Sequence, residues 1–300
     1  MTAAQPASWF FKAATVFAVS FATCWAIPRA FENIPEFPTI STEREQFLIF
    51  DRYFRLPVRK IALAGSSLTA RLKEEYFDRN DIRNVALPGG SPLTDLAILA
   101  DAAWKRPRVI AVETNILSRG VDEEMIREFH GFTGRTDALR PLRTLAALYQ
   151  RKFGTAPPTL DSAMRANILR LPPAQPLANE KIIAETIVEF DKPQYDDWIR
   201  KNAALLKTLA DRLEAEGVRV YLFELPVVPE IEQTRFVRTT RMAVSDLFGS
   251  DRWLKLDYPA GELRYYDGAH LDERSAILIA RALERAILSN MGQSGRQSAQ

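Results

Sequence analysis

The chain has 300 residues, with 40 Lys and Arg against 38 Asp and Glu, so its formal charge is +2. That balance, with no basic tract, gives a nucleic-acid backbone nothing to hold. A single cysteine, Cys24, and only two histidines exclude an internal disulfide and argue against a metal cluster, so the expectation is one large or two modest globular domains without metal or cofactor.

Residues 9–27 are apolar or small apart from Lys12 and a few hydroxyls. About 20 apolar residues cross a bilayer core as helix, and this run reaches that length if Lys12 snorkels to the headgroups. Residues 1–29 are therefore read as an N-terminal transmembrane anchor. A signal peptide cleaved near Cys24-Trp25-Ala26, lipid attachment at Cys24 and a buried core helix are the rival readings. The anchor is preferred because Pro28, Pro35 and Pro38 follow the run, so that 30–57 resembles a linker between membrane and domain. Lys12 before the run and Arg29 after it set orientation only weakly. A cytoplasmic N-terminus with the domain outside is the expectation.

From residue 58 strand-like and helix-like segments alternate, the pattern of an α/β domain with a mostly parallel sheet, here spanning 58–290. Residues 58–64 make the first strand, which runs into Gly65-Ser66-Ser67-Leu68 and a helix-like stretch to 77. Residues 83–87 make the second, followed by Pro88-Gly89-Gly90-Ser91-Pro92 and a helix over 93–103. The third, 108–113, closes in Thr114-Asn115. Residues 132–191 break the pattern, with Pro157-Pro158, Pro172-Pro173 and Pro176 separating short helical stretches such as 139–151. They read as an insertion, either shaping a site or partner surface or passing loosely over the outside. An amphipathic run over 195–216, ended by Gly217, leads to a fourth strand at 218–224, and 253–256 is the fifth. The last helix, 272–288, has Asp272 as its cap and Ile277, Ala280, Leu283, Ala286 and Ile287 on one face. The polar tail, 291–300, is expected to be disordered.

His270, in Tyr266-Asp267-Gly268-Ala269-His270, has a carboxylate three residues before it. An imidazole held by a carboxylate is what a serine nucleophile needs as its general base, and Gly65-Ser66-Ser67 supplies hydroxyls on a strand-to-helix turn. Taken singly, Gly-Ser-Ser is also a common cap, Asp267-Gly268 a turn signal and Asn115 a strand end. Together they fall along the carboxyl edge of the strands, where open α/β sheets bind ligands. His130 is read as structural. Asp95, Glu113 and Glu224 are read as solvated or ion-paired carboxylates, with Glu113 and Glu224 placed at strand ends near substrate.

In order and spacing these residues resemble the SGNH or GDSL hydrolases over 58–289. Gly65-Ser66-Ser67-Leu68 stands where that family carries Gly-Asp-Ser-Leu, which makes Ser67 the nucleophile and puts Ser66 in place of the motif's aspartate. Gly89 or Gly90 stands at the second-block glycine, and Asn115 at the asparagine of Gly-X-Asn-Asp. Both would donate to the oxyanion beside the Ser67 amide. Asp267 and His270 match the Asp-X-X-His block. Two positions depart: Glu113 replaces the third-block glycine and Ile116 follows the asparagine. The resemblance implies a flavodoxin-like three-layer α/β/α fold with a five-stranded sheet. The Gly-Ser-Ser variant with an N-terminal anchor is more similar to branches that O-acetylate exopolysaccharides or help D-alanylate cell-wall polymers. That implies an acyltransferase or esterase on the outer side of the inner membrane, acting on a surface glycan with a multi-pass membrane acyltransferase as partner. A non-catalytic scaffold or glycan-binding component, and a lipolytic esterase, are the alternatives.

Overall fold

The computed structural model describes residues 4–30, 42–102, 105–130, 160–175 and 179–297. Four strands, β1 (Ile61–Ala64), β2 (Ile82–Asn84), β3 (Val109–Glu113) and β4 (Arg219–Phe223), form one parallel sheet in the order β2-β1-β3-β4. The helices are α1 (Ala4–Ala30), α2 (Thr42–Arg55), α3 (Ser67–Ala70), α4 (Pro92–Asp101), α5 (Glu123–Phe129), α6 (Ser162–Arg170), α7 (Glu180–Phe190), α8 (Asp196–Ala215), α9 (Pro229–Glu232), α10 (Arg235–Ser245) and α11 (Glu273–Gln297).

Every residue of β1 and β3 is buried, because parallel strands connected through helices are covered on both faces. Successive side chains then alternate between two cores. Ala62, Ala64, Ile110, Val112, Val220 and Leu222 pack with residues of α2, α4 and α8. Ile61, Leu63, Val109, Ala111, Tyr221 and Phe223 pack with residues of α11. In the β1–β3 register Ala64 pairs with Val112, so both strands end at the same edge.

Several sequence expectations are corrected. Among the described residues the sheet has four strands, not five: Trp253 makes a single parallel bridge to Leu222, and Leu254 N donates to Leu222 O at 2.8 Å. A 3-10 turn at Ser250–Arg252 delivers the chain there, and residues 254–258 form no further bridge. The helix expected up to residue 77 stops at Ala70. The Asn84 amide takes the carbonyls of Thr69 and Leu72 at 2.7 and 2.9 Å, and the chain resumes as a 3-10 turn at Glu74–Tyr76. The C-terminal helix runs on to Gln297 through most of the tail expected to be disordered. The stretch 139–151 lies outside the described residues.

The expected linker 30–57 contains α2, which belongs to the domain. Phe50, Tyr53 and Phe54 are buried on it, and the Phe50 and Phe54 rings lie 5.6 and 5.7 Å from that of Phe129. The Tyr53 hydroxyl donates to Lys105 O at 2.5 Å. The proline-rich stretch before it drew the whole segment towards a linker, whereas apolar residues at 47, 50 and 54 carry helical spacing. Among the described residues no helix is long and apolar enough to cross a membrane. On α1 the large side chains of Trp9, Phe10, Phe11, Val16, Phe17, Val19 and Phe21 are each more than half exposed.

If α2 is part of the folded unit, Phe50→Ala leaves a cavity in the first core. The expected loss is about 3–5 kcal/mol of unfolding free energy, read from urea denaturation.

Candidate active site

The turn after β1 is built by close packing. A side chain on Gly65 would come within 2.6 Å of Thr69 Oγ1 and 2.9 Å of Glu113 Cβ, so only glycine lets the chain pass. Ser66 caps α3: its Oγ accepts Leu68 N–H at 3.2 Å and donates to Glu113 Oε2 at 2.7 Å. That hydroxyl is fully buried and occupied. Ser67 heads α3, where the half-buried side chain points the other way and the N–H has no preceding helical carbonyl to bond.

The partner arrives from the far end of the chain. Residues 265–271 form a tight loop closed by Tyr266 N to His270 O at 2.8 Å and by an antiparallel bridge between Tyr265 and Leu271. Asp267 Oδ1 accepts the N–H groups of Ala269 and His270 at 3.1 and 2.8 Å, the turn an aspartate forms with its own backbone. Gly268 sits at φ +91°. His270 Nδ1 lies 2.6 Å from Asp267 Oδ2, and Nε2 lies 2.9 Å from Ser67 Oγ, 203 residues away in sequence. Burial works to raise the Asp267 carboxyl, but hydrogen bonds from the His270 ring and from two backbone N–H groups outweigh it and hold the group far below the usual carboxylate range. An ionised Asp267 can only accept. Nδ1 therefore carries the imidazole proton, and the Nε2 lone pair receives the Ser67 hydroxyl proton.

The described half of the insertion braces this loop. Asn179 donates to Tyr266 O, Arg264 to Ala174 O at 2.7 Å, and Ile183 of α7 packs against Gly268. Arg274, in the first turn of α11, donates to Leu171 O at 3.0 Å.

The other site residues expected from sequence divide. Gly89 is left-handed, at φ 72°, and its N–H has no partner among the described residues. Gly90 N–H is spent on Leu87 O at 2.8 Å, closing the turn, so of this pair only Gly89 has a free donor. Asn115 extends the β3–β4 ladder through its side chain, accepting Leu225 N–H at 2.7 Å and donating to Leu225 O at 2.8 Å. The second amide hydrogen remains for another acceptor. His130 pairs with Asp101 at 3.3 Å, away from the serine, and Glu224 is bound by Arg241 at 2.7 Å. Asp95 and Glu113 are not solvated as expected but wholly buried beneath the turn. A glutamate closing a buried strand run was their one visible signal. Among the described residues no group of three His, Cys, Asp or Glu could hold a metal ion.

No family model, curated protein or solved structure matches this chain.

Beside the loop opens a cavity of about 790 Å³, lined among others by Leu225, Trp253, Tyr258, Tyr265 and Gly268. Arg241 in its wall bridges Glu224 and Glu232 at 2.7 and 2.6 Å.

Two outcomes follow from the loop. Gly268→Ala forces a side chain into left-handed backbone 2.9 Å from Ile231 Cδ1. It should cost about 1–3 kcal/mol in denaturant titration and weaken the His270–Ser67 contact. Asp267 has a depressed folded-state pKa, so its stabilisation is full above the unfolded carboxylate value and is lost as pH falls through the folded one. The melting-temperature gap between wild type and Asp267→Asn should be widest near neutrality and shrink below about pH 4.

Proposed function

We propose that this chain is an SGNH-type serine acyltransferase or esterase that moves an acyl group, acetyl in this reading, through an acyl-enzyme on Ser67. The observation that carries the reading is the hydrogen-bonded line Ser67 Oγ, His270 Nε2, His270 Nδ1, Asp267 Oδ2 at 2.9 and 2.6 Å. Ser67 Oγ attacks the acyl carbonyl as His270 takes its proton. His270 returns that proton to the leaving alkoxide, and a sugar hydroxyl or water then attacks the acyl-enzyme by the reverse proton path. The developing oxyanion is met by the N–H groups of Ser67 and Gly89 and by the free amide hydrogen of Asn115. Strand order 2-1-3-4 is that of flavodoxin-like sheets without the fifth strand, which supports the family reading.

The acceptor we assign is a surface glycan. Support comes from the cavity beside the loop: neither Ser67 nor His270 lines it, but Trp253, Tyr258, Tyr265 and the Glu224–Arg241–Glu232 group do, side chains of the kinds that bind sugars. Although no described helix has the length and apolarity of a membrane span, we further assign α1 to the inner membrane, with the domain on its outer side and a multi-pass membrane acyltransferase as donor partner. A helix exposing seven large apolar side chains between Trp9 and Phe21 needs an apolar surrounding.

Labelling with a fluorophosphonate and turnover of an aryl acetate test the chemistry. Both should vanish in Ser67→Ala and fall severely in His270→Ala, while Asn115→Ala should lose about 100- to 1000-fold in kcat. Unlabelled wild-type protein would instead favour a scaffold role. Adding oligosaccharide to the aryl-acetate reaction separates transfer from hydrolysis, since only a transferase yields acetylated sugar.

A further inference from the structure

Two carboxyl groups that the acyl transfer does not use lie directly beneath the Ser67 turn. Asp95 of α4 accepts Gly65 N–H at 2.7 Å through Oδ2. Glu113, the last residue of β3, accepts Ser66 N–H and Ser66 Oγ–H, each at 2.7 Å, and Thr69 Oγ1–H at 3.2 Å, all through Oε2. Both residues are 0% exposed, and among the described residues their second oxygens, Asp95 Oδ1 and Glu113 Oε1, are buried without a well-formed hydrogen bond. Among the described residues neither has a cationic neighbour.

A buried carboxylate without a cation is costly, and two acting on each other are costlier, so the pair retains a proton at neutral pH. The donors decide where it resides. Burial pushes the Glu113 carboxyl up as well, but the Ser66 N–H and hydroxyl, the Thr69 hydroxyl and the Ile116 N–H oppose that rise, which makes Glu113 the better-supported anion of the two. Asp95 has the Gly65 N–H and faces the charge of Glu113, and burial with that charge pushes its carboxyl well above the usual range. From β1 and α3 the groups that face the pair are neutral: the N–H groups of Gly65 and Ser66 and the hydroxyls of Ser66 and Thr69. The helices packed on α4 add no charge there. Asn202 of α8 donates to the Leu117 and Arg119 carbonyls, and Glu123, Glu124 and Arg127 of α5 are exposed.

We propose that ionised Glu113 and protonated Asp95 are positioning residues for Ser67, gripping the two preceding residues of the turn so that the Ser67 hydroxyl is delivered to His270. The proposal rests on the reading of Ser67 as nucleophile. It also makes one feature of two departures from the family's pattern, Ser66 in the Gly-Asp-Ser-Leu block and Glu113 at the third-block glycine: the carboxylate missing at position 66 is supplied to the Ser66 N–H and hydroxyl from position 113.

The test uses the full-length chain in detergent. Fluorophosphonate labelling of the wild type is scored first, and its absence overturns the nucleophile assignment together with this proposal. With labelling present, kcat and KM for an aryl acetate are followed from acid to alkaline pH in two near-isosteric variants, whose folding is checked by thermal unfolding. Glu113→Gln loses the anion and should lower kcat about 10- to 100-fold with KM unchanged. Asp95→Asn keeps a neutral acceptor for Gly65, so its loss of kcat at neutral pH should be smaller than that of Glu113→Gln. The alkaline fall in wild-type activity caused by ionising Asp95 should disappear. Equal losses in the two variants, an unaffected Glu113→Gln, or an alkaline limb that survives in Asp95→Asn would each overturn the positioning role while leaving Ser67 as the nucleophile. If Glu113→Gln does not fold, the alkaline limb of Asp95→Asn decides alone.

Discussion

The parallel pairing of β1 with β3, dry on both faces, governs where the Ser67 turn and the Asn115 strand end lie. Water cannot satisfy backbone groups inside the two cores, so each strand must bond its neighbours along its length, and Ala64 is held opposite Val112. Whatever follows β1 and β3 must then emerge at one edge. In the order 2-1-3-4 the chain leaves β1 towards β2 on one side and returns as β3 on the other, which opens a crevice at that edge. Ser67 lies three residues beyond the end of β1 and Asn115 two beyond the end of β3. The same pairing puts Glu113 under the Ser66 backbone, so that the strand carrying one site residue also supports the turn carrying another.

The histidine is held differently. Its loop is short, has no strand ladder of its own and depends on outside contacts for orientation. Asp267 organises it from within by accepting two loop N–H groups, and Val228 N–H bonds Gly268 O at 2.8 Å from outside. The insertion completes the support through Asn179, Ala174 and Ile183. Its described part is thus packed against the imidazole loop, neither a loose excursion nor a surface turned wholly outward. Placing an imidazole within hydrogen-bond distance of a serine over so long a loop closure requires such bracing, because a displacement of about 1 Å is enough to break the hydrogen bond between them.

Much of this was legible in residue order, for identifiable reasons. Dry strands read as short apolar runs, and the first four are found within three residues of their expected ends. Asp267-Gly268 announced a turn, and a turn is what forms. Ser67 rather than Ser66 came from the resemblance of Gly65-Ser66-Ser67-Leu68 to Gly-Asp-Ser-Leu, and the structure shows the first hydroxyl capping α3 and the second facing His270. Other features were hidden because their cause is distant. Trp253 and its neighbours have strand-like composition, yet pairing beyond Leu222 depends on the path that the surrounding loops impose. The aromatic face of α2 was masked by the prolines before it. Gly89 and Gly90 were equivalent as letters, and only the hydrogen bond to Leu87 separates them.

By itself the amino-acid order determined the residue types available for chemistry, the alternation that builds a parallel sheet and the turn geometry around Asp267, since these depend on backbone preferences and nearest neighbours. Tertiary structure decided that the hydroxyl of Ser67 meets the imidazole of His270, that Asp95 and Glu113 lose their water beneath the turn, and that the described part of the insertion braces the histidine loop. Each of those outcomes is a contact between segments far apart in the chain. Burial removes solvent as the competing partner there, and the side chains must satisfy one another.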